Sequence, residues 1–202
     1  MPATLPKLVL ASGSPRRRQI LEGLGLRPEV RPADVDETPL PGEGPVPYVE
    51  RLARLKARAR GAPGELVLAA DTIVALGDEL LGKPRDEAQA RRMLRRLADR
   101  EHRVATGVAL YRPAEDDGPE RLCSSVTVSN VLFTPLSDRQ IAWYVATGEP
   151  LDKAGAYGIQ GLGALFVESI EGNYGNIVGL PLPATARLFE EMGSGILEFR
   201  EG

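Results

Sequence analysis

Residues 66–76 read LVLAADTIVAL, an apolar run broken by one carboxylate, Asp71. A run of that kind marks a strand buried on both faces near the middle of a sheet. Gly77 and Asp78 follow as a hairpin turn, with residues 79–81 as a short return strand. An antiparallel return in a chain whose strands otherwise interleave with helices predicts a mixed α/β fold and excludes a purely parallel sheet. A carboxylate buried in such a strand without partners costs several kcal/mol, so Asp71 requires a cation, hydrogen bonds or a proton. Either it is a structural Asp bonded to a neighbouring loop, or it stands at the strand's working end and holds a metal or activates water. Thr72 offers a hydroxyl beside it.

A second segment points to an anion. Residues 7–21 read KLVLASGSPRRRQIL, a short buried strand running into a turn and an arginine-loaded helix. Gly13 permits a sharp turn, Ser14 is a preferred N-cap and Pro15 suits the first helical position. Unpaired N–H groups and the positive end of the helix dipole therefore meet beside Arg16, Arg17 and Arg18. Arg17 shares a helix face with Ile20, Leu21 and Leu24, where a solvated helix places an apolar residue. The two readings are an ordinary strand–helix connection with surface arginines, and a pocket for a phosphate chain.

Composition removes many chemistries. A formal charge of −3 and 5% aromatic residues exclude a protein that coats nucleic acid. One cysteine, Cys123, forbids an intramolecular disulfide and suits a reducing compartment. One histidine, His102, leaves no His-rich zinc site, and no nucleophile-elbow motif accompanies it. Following Asp99, Arg100 and Glu101 at an expected helix end, His102 reads as an exposed cap. What remains is chemistry by carboxylates, lysines, arginines and an oxygen-liganded metal. No apolar stretch approaches the roughly 18 residues of a membrane helix, and no signal-peptide core is present, so a cytoplasmic protein without a membrane partner is expected.

Lysine usage singles out positions: four lysines stand against twenty-one arginines. A lysine kept in such a background suggests a need for a compact, mobile charge. Lys56 falls in the apolar stripe Val49, Leu52, Ala53 of a helix expected over 46–60, either snorkelling past its neighbours or pointing into a cleft. Lys83 lies in the loop Gly82-Lys83-Pro84-Arg85, before a helix capped by Asp86. Strands are expected at 29–31, 104–112 and 122–133, the last two joined by a linker over 113–119. Ser137 caps a further helix, and a final helix starts near Pro183. Residues 164–170 and 175–178 read as a strand pair. In the acidic stretch Asp34, Asp36 and Glu37, carboxylates near phosphate commonly hold Mg²⁺ or Mn²⁺. The glycines at 155, 158, 161 and 163 either mark turns or let the backbone approach a flat base, with Gln160 reading its edge.

The segments ASGSPRRRQIL, AADTIV, GKPRD, LDKAGAYGIQG and IEGNYGNIVGLPL together resemble the Maf family of nucleoside triphosphate pyrophosphatases, in that family's order across the chain. Thr72 after Asp71 and the GAYGIQG segment resemble the branch acting on dTTP and UTP rather than the one acting on 7-methyl-GTP. The resemblance implies a single domain over 1–202, an elongated twisted mixed sheet flanked by helices, two lobes with a central cleft, and a homodimer. It implies that Asp71 is the proton acceptor and that Arg16, Thr72 and Gln160 govern substrate choice. Ser12, Arg17, Glu37, Lys56, Lys83 and Lys153 match polar residues of the cleft, and Ser14 lies within the same substrate-binding motif. Lys56 and Lys83 are expected to assist catalysis, and Glu37 with Asp71 to hold Mg²⁺ or Mn²⁺. The expected reaction converts a pyrimidine nucleoside triphosphate to the monophosphate and pyrophosphate, a house-cleaning role. A rival reading is a nucleotide-binding regulator of cell division acting through a protein partner, as the family's historical septum-formation name suggests.

Overall fold

The structure, a computed structural model, describes residues 5–114 and 118–200. Strands β1 (Lys7–Leu10), β2 (Glu29–Val30), β3 (Glu65–Leu76), β4 (Glu79–Leu81), β5 (Glu101–Arg112), β6 (Arg121–Phe133) and β7 (Val167–Glu171) form one mixed sheet. Its order is β2-β1-β3-β5-β6-β7, with β4 pairing β3 off this path. The β1–β2 and β1–β3 pairings are parallel and the others antiparallel. Helices α1 (Pro15–Gly23), α2 (Pro45–Arg58), α3 (Glu87–Leu97), α4 (Asp138–Ala146), α5 (Tyr174–Val178) and α6 (Leu182–Glu191) flank it. The chain is thus an α/β fold with an open mixed sheet, as its pattern predicts. Residues 115–117, inside the expected β5–β6 linker, lie outside the described residues.

The position of the cleft follows from how β3 is shared. Along one edge β3 pairs with β1 from Glu65 to Leu68 and with β4 from Val74 to Leu76. The intervening residues 69–73 have no strand on that edge, whereas the other edge is covered by β5 from Val67 to Ala75. Asp71 and Thr72 therefore sit at a gap in an otherwise continuous sheet. Alternate residues of a strand face opposite sides. Val67, Ala69 and Ile73 pack under α2 with Ala53, Ala57 and Leu52, and Asp71 lies between them. On the other face Leu66, Leu68 and Ala70 join a cluster with Leu21, Leu188 and Phe189, while Val74 joins a second one with Leu94, Phe133 and Tyr144. Thr72 stands between these two clusters.

Two expectations fail. Residues 174–178 form helix α5, not a strand: Asn173 Oδ1 accepts the Asn176 N–H at 2.9 Å as an N-cap, and Gly179 ends the helix at φ 115°. This capping overrides the strand preference of Ile177 and Val178. The partner of β7 is β6 instead, and residues 162–166 wind into a 3-10 turn. His102 is not an exposed cap: it lies inside β5, 2% exposed, with Nε2 2.9 Å from the Tyr157 hydroxyl. The helix before it ends at Leu97, and the alternation His102, Val104, Thr106, Val108 puts its ring on a buried face.

Candidate active site

A cleft of about 1010 Å³ opens at the gap in the sheet and is lined by residues from β1 through α5. Every residue expected from the resemblance to catalyse, bind substrate or hold a metal lies on its wall: Ser12, Ser14, Arg16 and Arg17 at the start of α1; Glu37 and Lys56; Asp71 and Thr72; and Lys83, Lys153 and Gln160. Arg18 does not; it pairs with Glu22 one turn on, at 2.7 Å. Of the three acidic residues 34, 36 and 37, only Glu37 reaches the wall, while Asp36 Oδ1 accepts the Thr38 N–H in a local turn.

On the α2 side the charges are tightly coupled. Lys56 Nζ lies 2.6 Å from Asp71 Oδ1 and 2.6 Å from Glu37 Oε1. Lys56 therefore points into the cleft rather than snorkelling away from it. Asp71 lines the cleft, and its Oδ2 has no protein hydrogen bond among the described residues. Burial pushes the Asp71 carboxyl above its ordinary range, with Lys56 and Arg17 opposing the shift and Glu37 adding to it. Tyr48 was not anticipated. Its hydroxyl donates to the Glu37 carbonyl at 2.9 Å, fastening the acidic loop over α2, and burial followed by the charges of Asp71 and Glu37 pushes it up to about 12. Its only sequence signal is its place two turns before Lys56 on the same helix face.

On the opposite face Arg17 knits three segments together. Its Nε donates to the Gly179 carbonyl at 2.8 Å, Nη1 to Ser12 Oγ at 2.8 Å and Nη2 to Thr72 Oγ1 at 3.0 Å. Thr106 Oγ1 spends its proton on the Asn176 carbonyl at 2.8 Å, so at the 2.9 Å contact between hydroxyls Thr72 is the donor. Burial lowers the Arg17 guanidinium from its usual value while the charge of Asp71 opposes that. Arg17 is thus largely committed to the fold, and Arg16 is the more available arginine, reaching Asp152 Oδ2 only at 3.5 Å. Ser14 occupies the N-cap position of α1 but makes no side-chain cap bond. The first helical hydrogen bond runs from Arg18 N to Ser14 O, which leaves the Arg16 and Arg17 N–H groups uncapped at the cleft.

Lys83 is exposed on the wall, and Gly82 just before it accepts the Gly155 N–H through its carbonyl at 3.1 Å. Lys153 Nζ donates to the Glu149 carbonyl at 2.7 Å and to Asp152 Oδ1 at 2.6 Å. Ala156 is held at φ 60° in this stretch, fully buried in the apolar cluster around Leu94, Phe133 and Tyr144. Glu37 and Asp71 converge on one ammonium, so together they suit a cation. Mg²⁺ or Mn²⁺ bound to a nucleotide takes one or two carboxylates and completes its shell with phosphate oxygens and water, and this donor pair fits that requirement. Among the described residues no group of three or more His, Cys, Asp or Glu offers a fuller protein cage.

The family model described as "Maf-like protein" matches residues 7–192. The chain is similar to a dTTP/UTP pyrophosphatase of Anaeromyxobacter dehalogenans (strain 2CP-C), 57% identical over 188 residues that cover 93% of this chain and 95% of that protein. It is likewise similar to the dTTP/UTP pyrophosphatase of Myxococcus xanthus (strain DK1622), at 53% identity and 92% coverage of both. A third relative of that name, from Geobacter sulfurreducens (strain ATCC 51573 / DSM 12127 / PCA), is 51% identical over 178 residues, 87% of this chain and 91% of its own.

Proposed function

The chain belongs to the Maf-like protein family, and from that membership we propose that it hydrolyses dTTP and UTP to the monophosphate and pyrophosphate. One observation carries the reading: the uncapped, arginine-bearing start of α1 and the buried pair Asp71–Lys56 line the same cleft. The triphosphate lies over the start of α1, where helix N–H groups, Arg16 and Lys83 meet its charge. Lys153 lines the same cleft. Ser12 and Arg17 hold the turn between β1 and α1 in shape, and Ser14, whose side chain makes no cap bond, lines the cleft beside it.

Asp71 is the proton acceptor. A water hydrogen-bonded to its Oδ2 attacks the α-phosphorus and gives up a proton to the carboxylate; the bond from the α-phosphorus to its bridging oxygen breaks, and pyrophosphate leaves. Lys56 keeps Asp71 ionised and aimed, since its ammonium engages Oδ1 and leaves Oδ2 open. Glu37 and Asp71 are the residues that would hold Mg²⁺ or Mn²⁺, which supplies charge neutralisation on the phosphate oxygens. Positioning and electrostatics carry most of the rate, and general-base help contributes typically ~10²–10⁴-fold. The base meets the segment around Gln160, which lines the same cleft as Thr72, and modified pyrimidine nucleotides fall within the same class.

The test is a panel of nucleoside triphosphates, each assayed for pyrophosphate with Mg²⁺ and with Mn²⁺. Pyrophosphate from UTP and dTTP ahead of the purine nucleotides is the expected result. Release of orthophosphate instead, or no turnover of any nucleotide, would reject the reading.

A further inference from the structure

Residues 158–161 carry Gln160 along the cleft wall, and the main chain around them is fastened to one side chain. Glu149 Oε2 accepts the Leu162 N–H at 2.9 Å; Oε1 accepts the Gly163 N–H at 3.2 Å and the Tyr144 hydroxyl at 2.8 Å. The Tyr144 oxygen in turn accepts the Gly158 N–H at 3.1 Å. Both ends of the segment therefore terminate on the Glu149 carboxylate, with Ile159 and Gln160 spanning between them. The approach leaves no room for side chains. A Cβ on Gly161 would lie 2.4 Å from Glu149 Oε2, and one on Gly163 would lie 2.7 Å from the Tyr144 oxygen. Of the glycines that suggested close approach to a ligand, Gly161 is thus required by this internal carboxylate and Gly163 by the Tyr144 hydroxyl and the Gly158 main chain, whereas Gly155 is pressed against Val74 and Gly158 against the Lys153 side chain. Burial pushes the Glu149 carboxyl up, but the hydrogen bonds from Leu162, Tyr144 and Gly163 and the charge of Lys153 outweigh it, so it stays ionised.

This arrangement solves a problem that Gln160 cannot solve alone. A primary amide rotated by half a turn exchanges its donor and acceptor. It pairs as well with cytosine, which offers an amino group and a bare ring nitrogen, as with uracil, which offers a carbonyl and a ring N–H. Main-chain donors do not reverse. The Ile159 and Gln160 N–H groups make no protein hydrogen bond among the described residues, and both residues line the cleft. We propose that Glu149 is a positioning residue for base choice: by clamping the backbone of residues 158–163 it fixes these N–H groups as donors to the uracil or thymine carbonyl and against the cytosine amino group. The proposal rests on the reading above that this segment meets the base.

Steady-state kinetics with UTP and CTP test it, on the full chain and on Glu149→Gln, Gln160→Ala and the double variant. In Glu149→Gln an amide N–H₂ confronts one of the loop's own N–H donors. The expected result is a fall of about tenfold in the UTP over CTP ratio of kcat/KM, the scale of one hydrogen bond to a charged group, expressed mainly in KM for UTP. Adding Gln160→Ala should then cost less than the two single effects combined. Equal losses for UTP and CTP in Glu149→Gln, with the ranking altered in Gln160→Ala, would overturn the role of Glu149 and leave base reading by the segment intact. An unchanged ranking in both variants would overturn the two together. Should Glu149→Gln fail to fold, Tyr144→Phe releases only the Gly158 end, and an unchanged ranking there overturns the proposal equally.

Discussion

Lys56 is held between two carboxylates, and the consequence is felt at Asp71. Burial raises the Asp71 carboxyl, and the Lys56 charge is the largest influence opposing that rise. As pH falls through this raised value the proposed proton acceptor is lost, so the acid limb of kcat/KM should lie above the ordinary 3.8 of an aspartate. In Lys56→Met the opposing charge is gone and the limb should move to still higher pH; a downward move in the pH–rate profile would contradict this assignment. Asp71→Asn keeps size and shape while removing the base. Its kcat should drop by at least ~10²-fold, with nucleotide affinity measured calorimetrically within a few-fold of the original; near-normal turnover would strip Asp71 of its role. Both residues were legible because each is a charge inside an apolar pattern, Asp71 in β3 and Lys56 on the inner stripe of α2. Glu149 and Tyr144 were not. A glutamate between Gly148 and Pro150 reads as surface, and its partners Leu162 and Gly163 are supplied by a loop that no periodicity places.

The elements meet most closely where α2 crosses the sheet. Gly107 of β5 stands opposite Asp71 in the β3–β5 register, and a Cβ there would lie 2.4 Å from the Val49 carbonyl oxygen and 2.9 Å from the Glu50 nitrogen. Both are main-chain atoms of α2, so the clash cannot be relieved by a rotamer. Gly107→Ala must lift the helix that carries Tyr48 and Lys56. A loss of about 2–3 kcal/mol in urea unfolding is expected, in the range of overpacked cores, together with a lower kcat/KM as Lys56 is drawn from Asp71. Full stability and full activity in this variant would show that α2 tolerates displacement. Hairpins and capped helices were legible because alternation and capping are local: Asp86 and Ser137 accept the N–H groups of Gln89 and Gln140 as their positions predict. Gly107 gives no local signal, since a glycine in an alternating strand looks like a weakness until the helix above it is seen. The strand expected at 175–178 failed for the opposite reason, a local cap at Asn173 outweighing β-branched composition.

Across the whole molecule, two apolar clusters share one face of the sheet and the polar chain Arg17–Thr72–Thr106–Asn176 lies between them. The cleft and the fold's polar layer are therefore one feature. The α/β class was legible because strands and helices alternate, but this layering was not, because Thr106 and Asn176 look unremarkable until β5 and α5 are superposed on β3. His102 sits at the edge of the second cluster, its ring centroid 4.8 Å from Phe133 and 5.4 Å from Tyr157. Burial holds its imidazole down at about 4, against 6.5 in the open chain. Between those values the unfolded chain takes up the proton first, so native stability falls as pH drops through the window. The difference amounts to about 3 kcal/mol at pH 4. Glutamine at this position does not titrate and can still bond the Tyr157 hydroxyl. Urea unfolding at pH 7 and pH 4 should therefore show the original chain losing about 3 kcal/mol more than His102→Gln, on top of whatever the carboxylates contribute to both. Parallel losses in the two proteins would mean that His102 enters its apolar cluster at no cost in acid stability.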